Sequence, residues 1–180
     1  MLAIELETAR LRLRQWSQDD LPALTALFAE AAVWWYPLRR GFTEAETARF
    51  LDRRLAEWST RGWGLWALER AGVLMGYTGL GLPEFLPEVM PVPEVGWRLH
   101  PDFWGNGYAT EAAKASLEFG FGELGFSEIV SIFEPNNLAS GRVMERIGMT
   151  VDRDTVDPKS GDALRVYRLH ATDWPSPRSS

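Results

Sequence analysis

The stretch Leu99-His100-Pro101-Asp102-Phe103-Trp104-Gly105-Asn106-Gly107-Tyr108-Ala109-Thr110-Glu111-Ala112-Ala113 constrains this chain more than any other. It reads as the end of a strand, a tight glycine loop and the first turn of a helix. Gly105 and Gly107 open backbone angles closed to other residues and let a ligand approach the main chain. A helix starting near Tyr108 directs N–H groups that have no intrahelical acceptor toward that ligand, and such a helix start favours anions, phosphate above all. Ala109, Ala112, Ala113, Ser116, Leu117, Gly120 and Leu124 recur at three- and four-residue spacing. A face of such small side chains lets the helix lie close on a sheet, as a fixed wall behind an anion site.

A glycine pair before a helix also fits an ordinary tight turn. The wider pattern Trp104-Gly105-Asn106-Gly107-Tyr108-Ala109-Thr110-Glu111-Ala112 is more specific. It resembles the pyrophosphate loop of the GCN5-related N-acetyltransferases (GNAT), whose usual form is Gln or Arg, two residues, Gly, one residue, then Gly or Ala. Gly107 and Ala109 fill the last two positions, and Trp104 stands where Gln or Arg is usual. The substitution removes a polar side chain and leaves the backbone cradle. Trp-Gly-x-Gly-Tyr-Ala-Thr-Glu-Ala is similar to the branch named for ribosomal-protein N-terminal acetyltransferases (RimJ/RimL-like). Asn137-x-x-Ser140 followed by Val143-x-Glu145-x-Ile147-Gly148-Met149 resembles a second signature of the family, and Glu7-Thr8-x-Arg10-Leu11-x-Leu13-Arg14 resembles the branch's opening strand. Together these motifs cover most of the chain.

The resemblance implies an α+β fold of one domain, residues 1–173, with a central mixed, twisted sheet of about seven strands and helices on both faces. Residues 174–180 read as a flexible tail. A length of 180 residues suits one core of that size. Composition narrows the functional classes. With 46% hydrophobic and 24% charged residues the chain looks like an ordinary soluble globule, and without cysteine it has no thiol nucleophile, disulfide or thiolate metal site. His100 and His170 are its two imidazoles, too few for a histidine metal centre and a poor basis for a Ser-His-Asp triad, so no metal is expected. The opening Met1-Leu2-Ala3-Ile4-Glu5-Leu6-Glu7 lacks a basic region followed by a long apolar core, and nowhere do about 18 apolar residues run together; the expected location is the cytoplasm, without a membrane partner. A net charge of −6 argues against a nucleic-acid partner and mildly favours a cationic acceptor.

Along the chain, Thr8 to Trp16 alternates as an edge strand, and Ser17 caps a helix expected to end near Ala32. Val33-Trp34-Trp35-Tyr36-Pro37 gathers three aromatics in a connection that would ordinarily be polar; a core edge and a ligand wall both fit. Thr43 to Glu46 opens a second helix with the stripe Ala48, Leu51, Leu55 and Trp58. Gly62–Glu69 and Val73–Leu82 form a hairpin turning at Arg70-Ala71-Gly72. Gly76, Gly79 and Gly81 lack the Lys-Ser or Lys-Thr of a nucleotide-binding loop and mark bulges or close backbone approach. The proline-rich loop Pro83–Pro93 is expected to overhang the site. Val92–Leu99, a crossover helix and Ser127–Phe133 imply a parallel pair at the centre of the sheet. Thr150–Thr155 and Ala163–Ala171 close it, and exposed edges and tryptophans would allow a homodimer.

The resemblance implies acetyl-CoA as cosubstrate, with its pyrophosphate on Trp104, Gly105, Asn106, Gly107, Tyr108, Ala109 and Thr110, and its pantetheine arm beside Trp97 and Leu99 and on Asn137. Gly96 would part the central strands to admit that arm. Acetyl transfer by direct attack in a ternary complex needs a neutral amine, a polarised carbonyl and a proton for the thiolate. Glu94 is the candidate base, Glu134 its alternative, Ser140 the candidate acid, and a main-chain N–H near Leu99 the hold on the thioester oxygen. Trp34, Trp35, Tyr36 and Phe85 are the candidate acceptor wall. An α-amine, with a pKa of about 7.7–8.0, is roughly a tenth neutral at pH 7, whereas a lysine near 10.4 is neutral in well under a thousandth of molecules. A protein N-terminus therefore asks less of the base than a lysine does, and small-molecule amines are the other acceptor class. The competing reading is a non-catalytic acyl-CoA sensor or interaction module on the same fold; a dinucleotide-binding dehydrogenase fits poorly because a third glycine is missing.

Overall fold

Ser17 sets the first helical turn by a capping box. Its side chain accepts the Asp19 N–H at 3.0 Å while Asp20 accepts the Ser17 N–H at 2.8 Å. In the computed structural model, which describes residues 4–175, that turn leads into α1 (Leu21–Ala29). Thr43 caps α2 (Glu44–Arg61) in the same way, with Glu46 reaching back to the Thr43 N–H at 2.8 Å. The other helices are α3 (Tyr108–Glu118), continued by a π turn over Phe119–Glu123, and α4 (Leu138–Arg146).

Eight strands alternate with these helices: β1 (Leu6–Glu7), β2 (Arg12–Arg14), β3 (Leu65–Arg70), β4 (Val73–Gly81), β5 (Glu94–Leu99), β6 (Glu128–Phe133), β7 (Thr150–Val156) and β8 (Ala163–His170). They form one mixed sheet in the order β1-β2-β3-β4-β5-β6-β8-β7, with β5 and β6 parallel at Glu94↔Val130. The expected GNAT sheet is present with eight strands in place of about seven. The opening segment folds back on itself at Thr8, whose N–H bonds to the Leu11 carbonyl at 2.9 Å, so that β1 and β2 pair antiparallel.

The chain divides into two compact units, Met1–Gly79 with Trp97–Ala115, and Leu80–Gly96 with Ser116–Ser180. In the first, Trp16, Leu24, Phe28, Trp34, Phe50, Leu51 and Tyr77 form a core of aromatic edges and faces. Phe28 meets Trp34, Phe42 and Phe50 edge-on at centroid distances of 4.9, 5.3 and 5.0 Å. In the second, Ile129, Val130, Met144, Ile147, Leu164, Val166 and Leu169 are buried.

Three local features bear on the expectations from sequence. Helix α1 stops at Ala29, short of Ala32, because the Phe28 carbonyl accepts the Phe42 N–H at 2.8 Å and the chain coils through turns from Ala31 onward. Gly76, at φ +150°, lies so near β5 that a Cβ there would fall 2.0 Å from the Arg98 carbonyl oxygen, the close approach expected of it. Trp174, at the head of the expected tail, packs its ring 5.9 Å from Phe121. The rest of that tail, 176–180, and residues 1–3 of the opening segment lie outside the described residues.

Candidate functional site

The glycine loop belongs to the first unit. Beyond Leu99 the chain makes a 3-10 turn over Pro101–Phe103, capped by His100, whose Nδ1 accepts the Asp102 N–H at 3.3 Å. The Trp104 indole N–H donates to the Leu99 carbonyl at 2.8 Å, and Asn106 Nδ2 to the Trp104 carbonyl at 2.9 Å. Trp104, where a Gln or Arg is usual, thus ties the loop to the end of its strand. Gly105 and Gly107 sit at φ +76° and +78°, angles that favour glycine. The Glu111 N–H bonds to the Gly107 carbonyl at 3.0 Å as α3 begins. The N–H groups of Tyr108, Ala109 and Thr110 lie in the turn before that bond and have no acceptor within the helix. Residues 104–107 are exposed. Among the described residues the buried Thr110 hydroxyl has no hydrogen-bond partner. An exposed loop of backbone donors with an unsatisfied hydroxyl in its first helical turn fits a phosphate-bearing ligand.

Glu111 fastens this loop to the opening segment. It accepts the Thr8 hydroxyl at 2.6 Å, the Arg10 N–H at 3.0 Å and Arg10 Nε at 2.7 Å, with Arg10 Nη2 at 2.6 Å. Burial pushes the Glu111 carboxyl up, but the bonds from Thr8 and Arg10 outweigh it and hold the group below its ordinary range. Arg10 Nη1 continues to the Asn106 carbonyl at 3.0 Å, and the guanidinium lies 4.6 Å from the Tyr108 ring centroid, with Arg70 at 5.4 Å from the same ring. Sequence reasoning placed neither Arg10 nor Arg70 here. The signal was available only in combination: Arg10 belongs to the opening motif and Glu111 to the loop motif, about a hundred positions apart.

The aromatic connection 33–37 divides. Trp34 is 6% exposed, stacked on Phe42 at 3.8 Å, and its indole N–H has no partner among the described residues. Its ring belongs to the core, while Trp35 and Tyr36 are half-exposed, their ring centroids 6.3 Å apart. Arg98 of β5 holds this turn: Nε donates to the Tyr77 hydroxyl at 3.1 Å, Nη1 donates to the Val33 and Tyr36 carbonyls, and the guanidinium lies 4.0 Å from the Trp34 ring centroid. Trp97, Arg98's neighbour on the strand, is half-buried.

The second unit carries the remaining candidates. Glu94 opens β5 opposite Val130, whose N–H bonds to the Pro93 carbonyl at 2.9 Å, and the buried Ser131 hydroxyl donates to the Val95 carbonyl at 2.9 Å. Glu134, directly after β6, is 4% exposed. Its carbonyl accepts the Asn137 N–H at 2.8 Å, and Asn137 Oδ1 caps α4 by accepting the Ser140 N–H at 3.2 Å. Asn137 and Ser140 are therefore joined at one helix start, directly beyond Glu134. Phe85 is half-buried in the loop after β4. Among the described residues no group of three or more His, Asp or Glu is placed to hold a metal ion, and no helix is long and apolar enough to cross a membrane.

Comparison with known proteins is consistent with this architecture. The family described as "Acetyltransferase (GNAT) domain" matches residues 10–150. An uncharacterized protein of Bacillus subtilis, YkkB, is 36% identical over 153 residues, 81% of this chain and 84% of its own length. Among solved structures, the acetyltransferase from Agrobacterium tumefaciens str. C58 is 30% identical with a TM-score of 0.79, covering 94% of this chain and 96% of that one. RimL, a ribosomal L7/L12 alpha-N-protein acetyltransferase solved with coenzyme A, shares the fold at 17% identity, with a TM-score of 0.78 over 93% of this chain and 98% of that one.

Proposed function

This chain belongs to the GNAT acetyltransferase family, and on that premise we propose that it transfers the acetyl group of acetyl-CoA to a primary amine, with a protein N-terminus as the favoured acceptor. The observation that carries the reading is the exposed glycine loop opening α3, a cradle of backbone donors. The coenzyme A complex of RimL, on the same fold, supports it. Acetyl-CoA supplies an activated acyl group and a thiolate leaving group.

The chain's own part is to hold that cosubstrate and manage two protons. Loop residues 104–107 and the N–H groups of Tyr108, Ala109 and Thr110 take the pyrophosphate, whose charge the helix start favours. Trp97 and Leu99 offer strand backbone to the pantetheine arm, with Gly96 before them as the candidate bulge of β5. A Cβ at Gly96 would meet nothing within 4 Å. Glu94 takes the proton released when the amine nitrogen bonds to the acetyl carbon, directly or through one water, with Glu134 as the second candidate for that role. The Leu99 main-chain N–H steadies the oxygen as the carbon–sulfur bond breaks, and the Ser140 hydroxyl hydrogen-bonds or protonates the departing sulfur. Asn137 Oδ1 is occupied by the α4 cap, so its Nδ2 is the group left for a pantetheine carbonyl. Trp35, Tyr36 and Phe85 are the acceptor candidates with surface to offer, and Trp34 supports the turn from within the core. The α-amine is favoured because a tenth of it is already neutral near pH 7, which lightens the task of Glu94.

Calorimetric titration with acetyl-CoA, coenzyme A and NAD, followed by thiol release against peptides and small amines, tests this. Selective coenzyme A binding with amine-dependent thiol release is expected, fastest on peptides with a free N-terminus. Binding without release from any amine would turn the protein into an acyl-CoA sensor, and absence of binding would overturn the reading.

A further inference from the structure

Glu111 poses an electrostatic problem that the loop itself does not solve. A carboxylate in the first turn of α3 favours the helix dipole, yet it places a negative charge beside the donors assigned to an anion. Its ionised form is held there by Thr8 and Arg10. Arg10 meets it through Nε and Nη2 at 2.7 and 2.6 Å, a two-point contact that cancels the charge where it stands. The same guanidinium extends Nη1 to the Asn106 carbonyl, the peptide between the two left-handed glycines, and packs against the Tyr108 ring. A Cβ at Gly107 would lie 3.6 Å from Arg10 Nη2, so the arginine backs directly onto the loop.

We infer that Arg10 is a positioning residue for cofactor binding: it fixes the Asn106 peptide so that the loop's N–H groups keep their aim, and it masks the Glu111 charge that would otherwise repel the bound anion. The inference rests on the coenzyme A reading above and adds a residue far from the loop in sequence. It also gives a physical reason for the pairing of the opening Thr-x-Arg with the Thr-Glu that begins α3. Thr8 and Arg10 converge on one carboxylate, which joins the opening segment to the first turn of α3.

The two roles make different demands on mutants. Arg10 is 43% exposed on its side chain, so Arg10→Met should leave the fold intact. Coenzyme A should bind Arg10→Met about tenfold more weakly. Adding Glu111→Gln removes the unmasked charge and should recover part of that loss. Arg10→Lys keeps a charge but not the fork that spans Glu111 and Asn106, and should fall between wild type and Arg10→Met. In the ligand-free protein, amide hydrogens of residues 104–109 should exchange about tenfold faster in Arg10→Met.

Wild-type affinity in Arg10→Met would overturn the inference, and a double variant no better than Arg10→Met would overturn the masking of Glu111. Unchanged loop exchange would overturn the positioning role on its own. Should the wild type itself fail to bind coenzyme A, the proposed function falls, and the exchange measurement still decides whether Arg10 holds the loop.

Discussion

Arg14 stands between two carboxylates, donating to Asp20 from Nη2 and Nη1 at 2.7 and 2.9 Å and to Glu69 from Nε at 2.7 Å. Burial would push the Asp20 carboxyl up, but the Arg14 bonds and the Ser17 N–H overcome it and hold the group below its ordinary value. A group depressed in the folded state stabilises fully above its unfolded pKa, and the contribution disappears as pH falls through the folded one. Asp20→Asn removes one of the two carboxylate charges that hold Arg14 and should cost about 2–4 kcal/mol at pH 7. Urea unfolding of both proteins checks this: the gap should be wide at pH 7 and should close as the pH falls through the depressed Asp20 pKa. Glu94→Gln tests the chemistry at the same scale. It should lower kcat about 10²- to 10⁴-fold with coenzyme A affinity intact, read by thiol release beside calorimetry. Equal kcat would pass the role to Glu134. At this scale the sequence was informative about type and silent about surroundings. Val33-Trp34-Trp35-Tyr36 offered three equivalent aromatics, and only the return of Phe42 and Phe50 onto Trp34 separated a core ring from two half-exposed ones.

Helix α2 was legible because its information is local. Thr43 and Glu46 sit three residues apart and exchange the reciprocal bonds of a capping box, as their spacing requires. The Glu46 carboxyl, drawn down to about 2 by Arg40 and then by the Thr43 N–H, should keep that cap closed well into acid. Carboxyl and amide NMR shifts of Glu46 and Thr43, followed from pH 6 downward, should stay flat through the ordinary carboxylate range and move together only near pH 2. Movement near pH 4 would separate Glu46 from the cap. Where an element's limit is set by a distant neighbour, the pattern misleads: α1 ends at Ala29 because Phe42 claims the Phe28 carbonyl. Gly76 is an intermediate case. Its type announced a close approach in β4, but not that the neighbour is Arg98. Gly76→Ala should destabilise by about 3 kcal/mol or more, since a Cβ 2.0 Å from a carbonyl oxygen forces two strands apart. An unchanged midpoint in denaturant would show that β4 can yield there.

At the scale of the molecule, the family was written in contiguous motifs, whereas the device behind the loop was not. Trp104 to Ala112 is one run of sequence and could be read as strand, loop and helix. The Thr8–Arg10–Glu111 cluster spans about a hundred residues, and no period or spacing connects its members before the hairpin β1–β2 folds onto α3. A ligand that takes hold of that loop binds the folded chain and not the unfolded one, so it must raise the stability of the whole. At a coenzyme A concentration about a hundred times its Kd, the gain is about 2.7 kcal/mol. For a chain of 180 residues this corresponds to a rise in Tm of about 5–10 °C. NAD at equal concentration should give much less, because it lacks the pantetheine arm that the strand backbone at Trp97 and Leu99 would receive. Salt adds a second reading, since exposed charges are screened within about 8 Å at physiological ionic strength. The coenzyme A shift should therefore shrink as salt rises, and in Arg10→Met it should be smaller at every concentration of salt. A rise of equal size for both nucleotides would reduce the loop to a general phosphate site, and the acyl-transfer reading would then rest on the fold alone.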